Sequence, residues 1–156
     1  GNHEAISCLS SCLEDDDTEV RWAAASALPK AVALGNLHAI SAVSSRLEHE
    51  DSDVRRAAAA ALTQLAGRGN QHAIDVLCDS LKNEDCGVML AVVGVLCRIA
   101  RKGDQQIIIA VRNCIGHESY IVRKTLVDAL TQIAECGDPV VLETMCYCLK
   151  DEHWSV

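Results

Sequence analysis

The sequence predicts an all-α protein, a right-handed α-solenoid of stacked antiparallel helix pairs with a 34-residue repeat. Three observations carry that prediction. Gly1, Gly35, Gly69, Gly103 and Gly137 recur at intervals of 34, each followed by Asn or Asp. Val20, Val54, Val88, Val122 and Val156 keep the same spacing, as do Leu28, Leu62, Leu96 and Leu130. Between these markers, apolar residues fall three and four apart in two stretches per unit, the spacing of neighbours on a helix surface. One helix pair cannot bury such a stripe alone, so a fixed period of this length implies stacking of successive pairs.

The units run 1–34, 35–68, 69–102 and 103–136, with a partial fifth at 137–156. In the second unit, Ala39, Ile40, Val43 and Leu47 form the apolar face of a first helix. A polar stretch, Glu48-His49-Glu50-Asp51-Ser52, follows it. Asp51, with Asp17, Asp85 and Ser119 at matching places, is the expected N-cap of the second helix, because a short oxygen-bearing side chain there accepts an orphan backbone N–H. That second helix buries Val54, Ala58, Leu62, Leu65 and Ala66, and its counterpart two units on buries Val122, Leu126, Leu130, Ile133 and Ala134. The repeated glycine is expected to end the helix in a left-handed conformation, and the Asn or Asp after it to start the next. Pro29, inside a second helix, removes one backbone hydrogen bond. Ala23–Ala25, Ala27 and Ala57–Ala61 favour helix and allow close helix approach.

Composition narrows the function classes. Fourteen Lys and Arg stand against 22 Asp and Glu, a net charge of −8, and binding to a phosphate backbone needs clustered positive charge. No nucleic-acid partner is expected. No apolar run reaches the roughly 20 residues of a membrane span, so no membrane partner is expected either. Nine cysteines cannot all pair within the chain, and an Ala- and Leu-rich helical sequence is not a disulfide scaffold. The expected location is therefore a reducing one, intracellular and cytoplasmic, with most thiols serving as small buried hydrophobes. By unit, the charge is −4, 0, 0, −1 and −3, so both ends are acidic, which would suit a partner with basic flanks around an apolar centre.

A 34-residue helix pair also fits tetratricopeptide repeats, but those rely on recurrent aromatics and a late Pro, and this chain has no Phe and only two Pro. The stretch Asp51-Ser52-Asp53-Val54-Arg55-Arg56 followed by Ala57–Ala61 and Leu62 is echoed by Asp17-Thr18-Glu19-Val20-Arg21-Trp22-Ala23-Ala24-Ala25-Ser26-Ala27-Leu28. This pattern resembles the HEAT repeat family, in particular the short HEAT-like units of phycobiliprotein lyase subunits. The resemblance implies a binding scaffold more than any chemistry. The third unit departs from it, with Met89 in place of Arg21, Arg55 and Arg123 and with Cys86-Gly87 before its Val. That departure reads as drift, or as a surface adapted to an apolar partner.

The resemblance implies inter-repeat structural roles for Asp17, Arg21, Asp51, Arg55 and Arg123. The exposed side of the second helices is the expected binding face, because solenoids bind along their concave surface. Register projects Trp22, Arg56, Leu90 and Lys124 as one row there, with Ser26, Ala60, Gly94 and Asp128 beside it and Arg98 in a further row. Trp22, Arg56, Leu90, Lys124 and Arg98 are the candidate partner-binding residues, with Trp22 and Leu90 as anchors, since Trp and Arg recur at protein contacts. No metal is expected: Cys8 and Cys12, four apart on one helix face, could both be ligands, but a structural zinc site needs four and only His3 lies nearby. No cofactor, small-molecule ligand or catalytic residue is expected either, because no phosphate loop or nucleophile motif occurs.

The expected function is a non-enzymatic scaffold that binds a protein partner. The family resemblance also admits a subunit of a bilin lyase or isomerase, and a regulatory array attached to a catalytic domain outside this segment is a third reading. A start on a repeat glycine and an end just into a second helix predict a segment of a longer array.

Overall fold

A computed structural model of the chain describes residues 2–149, so the expectations placed on Gly1, Val156 and the rest of the fifth unit beyond residue 149 lie outside the described residues. Among the described residues there are nine α-helices and no strand. They are α1 Asn2–Ser11, α2 Thr18–Ala31, α3 Leu37–Ser44, α4 Ser52–Ala66, α5 Gln71–Ser80, α6 Cys86–Ile99, α7 Gln105–Asn113, α8 Tyr120–Ile133 and α9 Pro139–Cys148. Successive helices pair as predicted. The odd-numbered helices form one layer in which α1, α3, α5, α7 and α9 each touch the next, and α2, α4, α6 and α8 form the other. The described residues form an all-α solenoid of stacked helix pairs.

The predicted apolar faces are the buried ones. Ala39, Ile40, Val43, Leu47, Ala58 and Leu62 are fully buried, and Val54, Leu65, Ala66, Val122, Leu126, Leu130 and Ile133 nearly so. Leu47 lies in a 3-10 turn, Ser45–Glu48, that prolongs α3, as Leu13 does in Cys12–Glu14 after α1. The core is continuous from Ile6 to Val141, so each helix pair completes the burial of its neighbours. Ala57, Ala58 and Ala61 of α4 are wholly buried, where their small side chains let the flanking second helices approach.

Capping follows the sequence closely. The side chains of Asn36, Asn70, Asp104 and Asp138 accept backbone N–H groups at the start of the first helices, and those of Asp17, Asp51 and Asp85 do so for the second helices. Ser119 occupies the N-cap of α8 but makes no such bond. Helix α2 continues two residues past Pro29 before it ends.

The repeated glycine does a different job from the one expected. Helices α2, α4, α6 and α8 end at Ala31, Ala66, Ile99 and Ile133, before the glycine is reached. Gly35, Gly69, Gly103 and Gly137 instead sit within the turn that follows, with φ between 71° and 82°. In three of these turns the next residue's N–H closes back onto the carbonyl of Ala33, Arg101 or Glu135, a geometry that needs positive φ at its third residue. That conformation points the glycine N–H across the stack. Gly35 donates to the carbonyl of Leu65 (2.8 Å), Gly69 to Ile99 (2.6 Å) and Gly103 to Ile133 (2.8 Å), each an otherwise orphaned carbonyl near the end of the next second helix.

Two glycine substitutions should therefore move stability in opposite directions. Gly35→Ala forces an L side chain into the left-handed region beside Asn70 and should cost about 1–2 kcal/mol. Gly94→Ala, inside α6 with open space around the added methyl, should gain up to about 1 kcal/mol from helix propensity. Urea unfolding followed by circular dichroism distinguishes the two signs.

A groove across the second helices

The second helices are held in register by their first turns. Arg21, with a side chain only 7% exposed, reaches back to donate to the carbonyls of Asp15 (2.7 Å) and Asp16 (3.1 Å) and to Thr18 Oγ1. Arg55 does the same to His49 and Glu50, both at 2.7 Å, and Arg123 to His117 and Glu118. Each guanidinium thus ties its helix to the preceding polar turn. A second side chain in the same turn works in the opposite direction: Asp15, His49, Asn83 and His117 accept the N–H of the residue two further on. In His49 and His117 the acceptor is Nδ1, which leaves Nε2 as the protonated nitrogen of a neutral ring. His117 Nε2 lies 3.2 Å from the carbonyl of Glu84 in the preceding unit, so it donates there.

Neighbouring units are joined at the same level. Arg21 Nη2 stands 3.4 Å from Asp53 Oδ2, and the other oxygen of Asp53 pairs with Arg56 at 2.8 Å. Arg55 extends toward the third unit, where its Nη2 fills the space that a Cβ on Gly87 would take. A larger residue there would push the Arg55 guanidinium aside. Among the residues expected to work between repeats, Asp17 and Asp51 cap their own helices, and the carboxylate that reaches Arg21 from the next unit is Asp53. The sequence reading overlooked it.

These constraints leave an open groove of about 440 Å3 across α2, α4 and α6. Ala59, Ala60, Ala91, Gly94 and Val95 make a shallow, largely apolar floor, and Trp22, Arg56, Leu90 and Arg98 stand around it. Arg55 also lines it, no carboxylate does, and the whole chain carries −8. Trp22 is 40% exposed, although the side chain of Arg21 before it is buried. Arg56 and Arg98 are exposed and Leu90 is half-buried. Thr63 turns its hydroxyl onto the Ala59 carbonyl, leaving few unsatisfied polar groups on the floor.

The comparisons with known families agree with this geometry. The model for HEAT repeats matches residues 1–63, and that for the PBS lyase HEAT-like repeat matches residues 54–83. The chain belongs to the HEAT repeat family. No curated protein matches it.

Within this HEAT array, four of the five residues projected as a binding face, Trp22, Arg56, Leu90 and Arg98, line the one groove. Lys124, the fifth, is exposed on α8 beyond it. The departure in the third HEAT unit has a packing cause. Met89 is buried, 3% exposed, so it presents no surface to a partner. Gly87 admits Arg55, and the Glu84 carbonyl that an arginine would have taken is met by His117.

Cysteine packing is less general than the composition suggested. Cys12, Cys78, Cys97 and Cys114 pack partly buried against the core and Cys148 is buried, but Cys8, Cys86, Cys136 and Cys146 are exposed. Burial pushes the Cys78 thiol up to about 11, helped by the charges of Asp104, Asp75 and Asp79, and burial likewise raises Cys97 and Cys114. No group of three or more His, Cys, Asp or Glu that could hold a metal occurs among the described residues, and none of the described helices is long and apolar enough to cross a membrane.

Two measurements test this description. Arg21→Ala leaves two turn carbonyls without their donor and should cost about 1–3 kcal/mol by urea unfolding, while Arg21→Lys, lacking the planar fork, should recover only part of that. At pH 8 a thiol reagent should modify Cys8, Cys86, Cys136 and Cys146 in a fast phase. Cys78 should react slowly, since a raised thiol pKa leaves little thiolate at that pH.

Proposed function

We propose that this HEAT array is a non-enzymatic scaffold whose groove across α2, α4 and α6 docks a partner protein. The observation that carries this reading is the groove itself: an apolar floor of small residues bounded by an exposed Trp, a Leu and arginines, in a chain otherwise acidic. Trp22 and Leu90 serve as the apolar anchors, because large side chains at the centre of a contact gain most from desolvation. Arg56 and Arg98 supply charge and direction, and Lys124 extends the same face onto α8. The groove is the concave side of the solenoid in this reading. HEAT repeats serve generally as protein-interaction surfaces, which supports it, and the cytoplasm is the location that suits nine cysteines in an Ala- and Leu-rich helical chain.

A second reading has one observation in its favour. The match of residues 54–83 to the PBS lyase HEAT-like repeat, together with an apolar groove lined by arginines, suits a subunit that holds a bilin with its carboxylates.

Replacing Trp22 and Leu90 by Glu, and Arg56 and Lys124 by Asp, should leave the helical circular dichroism unchanged. Proteins captured by the wild-type chain should be lost by at least tenfold; retention of every partner by this variant would count against the scaffold reading. The second reading is checked by mixing the protein with a free bilin, where an unshifted absorbance spectrum removes it.

A further inference from the structure

We infer that the occupant of the groove is an acidic amphipathic helix: its apolar side chains pack against Trp22 and Leu90, which stand on either side of Arg56, and carboxylates about two turns away meet Arg98. This rests on the docking reading above and adds the chemistry of the partner. Four features of the groove point to it. Its charge is of one sign, with Arg55, Arg56 and Arg98 among the lining residues and no Asp or Glu, so an anionic surface is favoured over a basic one. Arg56 is held by Asp53, but its side chain is still 64% exposed, which leaves guanidinium donors free to face outward.

The floor offers almost nothing for an extended backbone to bond to. It is built from Ala59, Ala60, Ala91, Gly94 and Val95, and the hydroxyl of Thr63 is already committed to its own helix. A strand laid there would leave its N–H and C=O groups without protein partners, whereas a helix satisfies them internally. The dimensions agree. Leu90 and Arg98 are eight residues apart on α6, so anchor and charge are separated by about 12 Å along its axis, two turns of a parallel helix.

Gly94 supplies the last argument. It lies in the middle of α6, where glycine weakens a helix, and a Cβ there would meet nothing within 4 Å. The fold gains nothing from its missing side chain. What its absence does provide is depth at the centre of the groove, where a docked helix backbone would approach most closely.

The probe is a labelled peptide of about 18 residues, long enough to be helical, with Leu at i, i+3, i+4 and i+7 and Glu on the flanks. Two controls accompany it: the same Leu stripe flanked by Lys, and a poly-glutamate of equal charge without Leu. Fluorescence anisotropy at low salt should show the Glu/Leu peptide binding at least tenfold more tightly than either control. Gly94→Leu should weaken it at least tenfold while thermal unfolding stays where it is or rises. Arg98→Glu combined with Arg56→Glu should weaken the Glu/Leu peptide and strengthen the Lys/Leu peptide. If the Lys/Leu peptide binds better and is still blocked by Gly94→Leu, the groove is a docking site but the acidic occupant is overturned. If poly-glutamate binds as well as the Glu/Leu peptide, simple anion attraction replaces the helix. If no peptide's binding responds to Gly94→Leu, the docking reading itself falls.

Discussion

A hydrogen bond between a turn and the end of the next helix sets the geometry of the whole array. The N–H of Gly35, Gly69 or Gly103 can reach the carbonyl of Leu65, Ile99 or Ile133 only because glycine tolerates a positive φ. The bond recurs once per unit, always between positions 30 apart, and forms one edge of the stack. The opposite edge is formed by the polar turns, where arginines grip carbonyls from one side and Asp15, His49, Asn83 and His117 receive N–H groups from the other. Between two such edges the second helices have little freedom to slide. The core is then closed by aliphatic residues, Leu and Ile for bulk and Ala and Val at the close contacts, so a chain without Phe still has a continuous interior.

The groove is a product of that regularity together with its exceptions. Identical units would present a uniform row of arginines and alanines. Here the row reads Trp22, Arg56, Leu90, Lys124, and the third unit adds Gly87 and Gly94, so three adjacent helices that pack alike differ on their outer side. Burial of Met89 shows the two sides of one helix under different constraints: its inner side continues the core, while Leu90 beside it turns outward into the groove.

Most of the fold was legible in the sequence because its signals repeat. A single Gly-Asn pair or a Val-Arg pair says little, but the same pair at a constant interval identifies the turn, the caps and the buried face together. Of the projected row, Trp22, Arg56 and Leu90 line one groove with Arg98 from a further row, while Lys124 lies beyond it, since a helical register fixes direction but not depth. What register could not supply was the set of interactions between units. Asp53 has no marked partner in sequence, and its neighbours Asp17 and Asp51 carry the stronger local signal of an N-cap. The glycine was misread for a similar reason: a left-handed residue after a helix has a local explanation, and the bond that it makes lies 30 residues away. His49 and His117 were visible as a register pair, but their acceptor role depends on ring orientation in a turn that is not itself helical.

Asp53 has a consequence that reaches beyond packing. One carboxylate is divided between Arg21, buried at the seam of the first two units, and Arg56, at the rim of the groove. The two guanidinium groups are rivals for the same negative charge. A change of charge at position 56 therefore reaches the seam between α2 and α4 through Asp53, although Arg56 itself pairs only within its own helix.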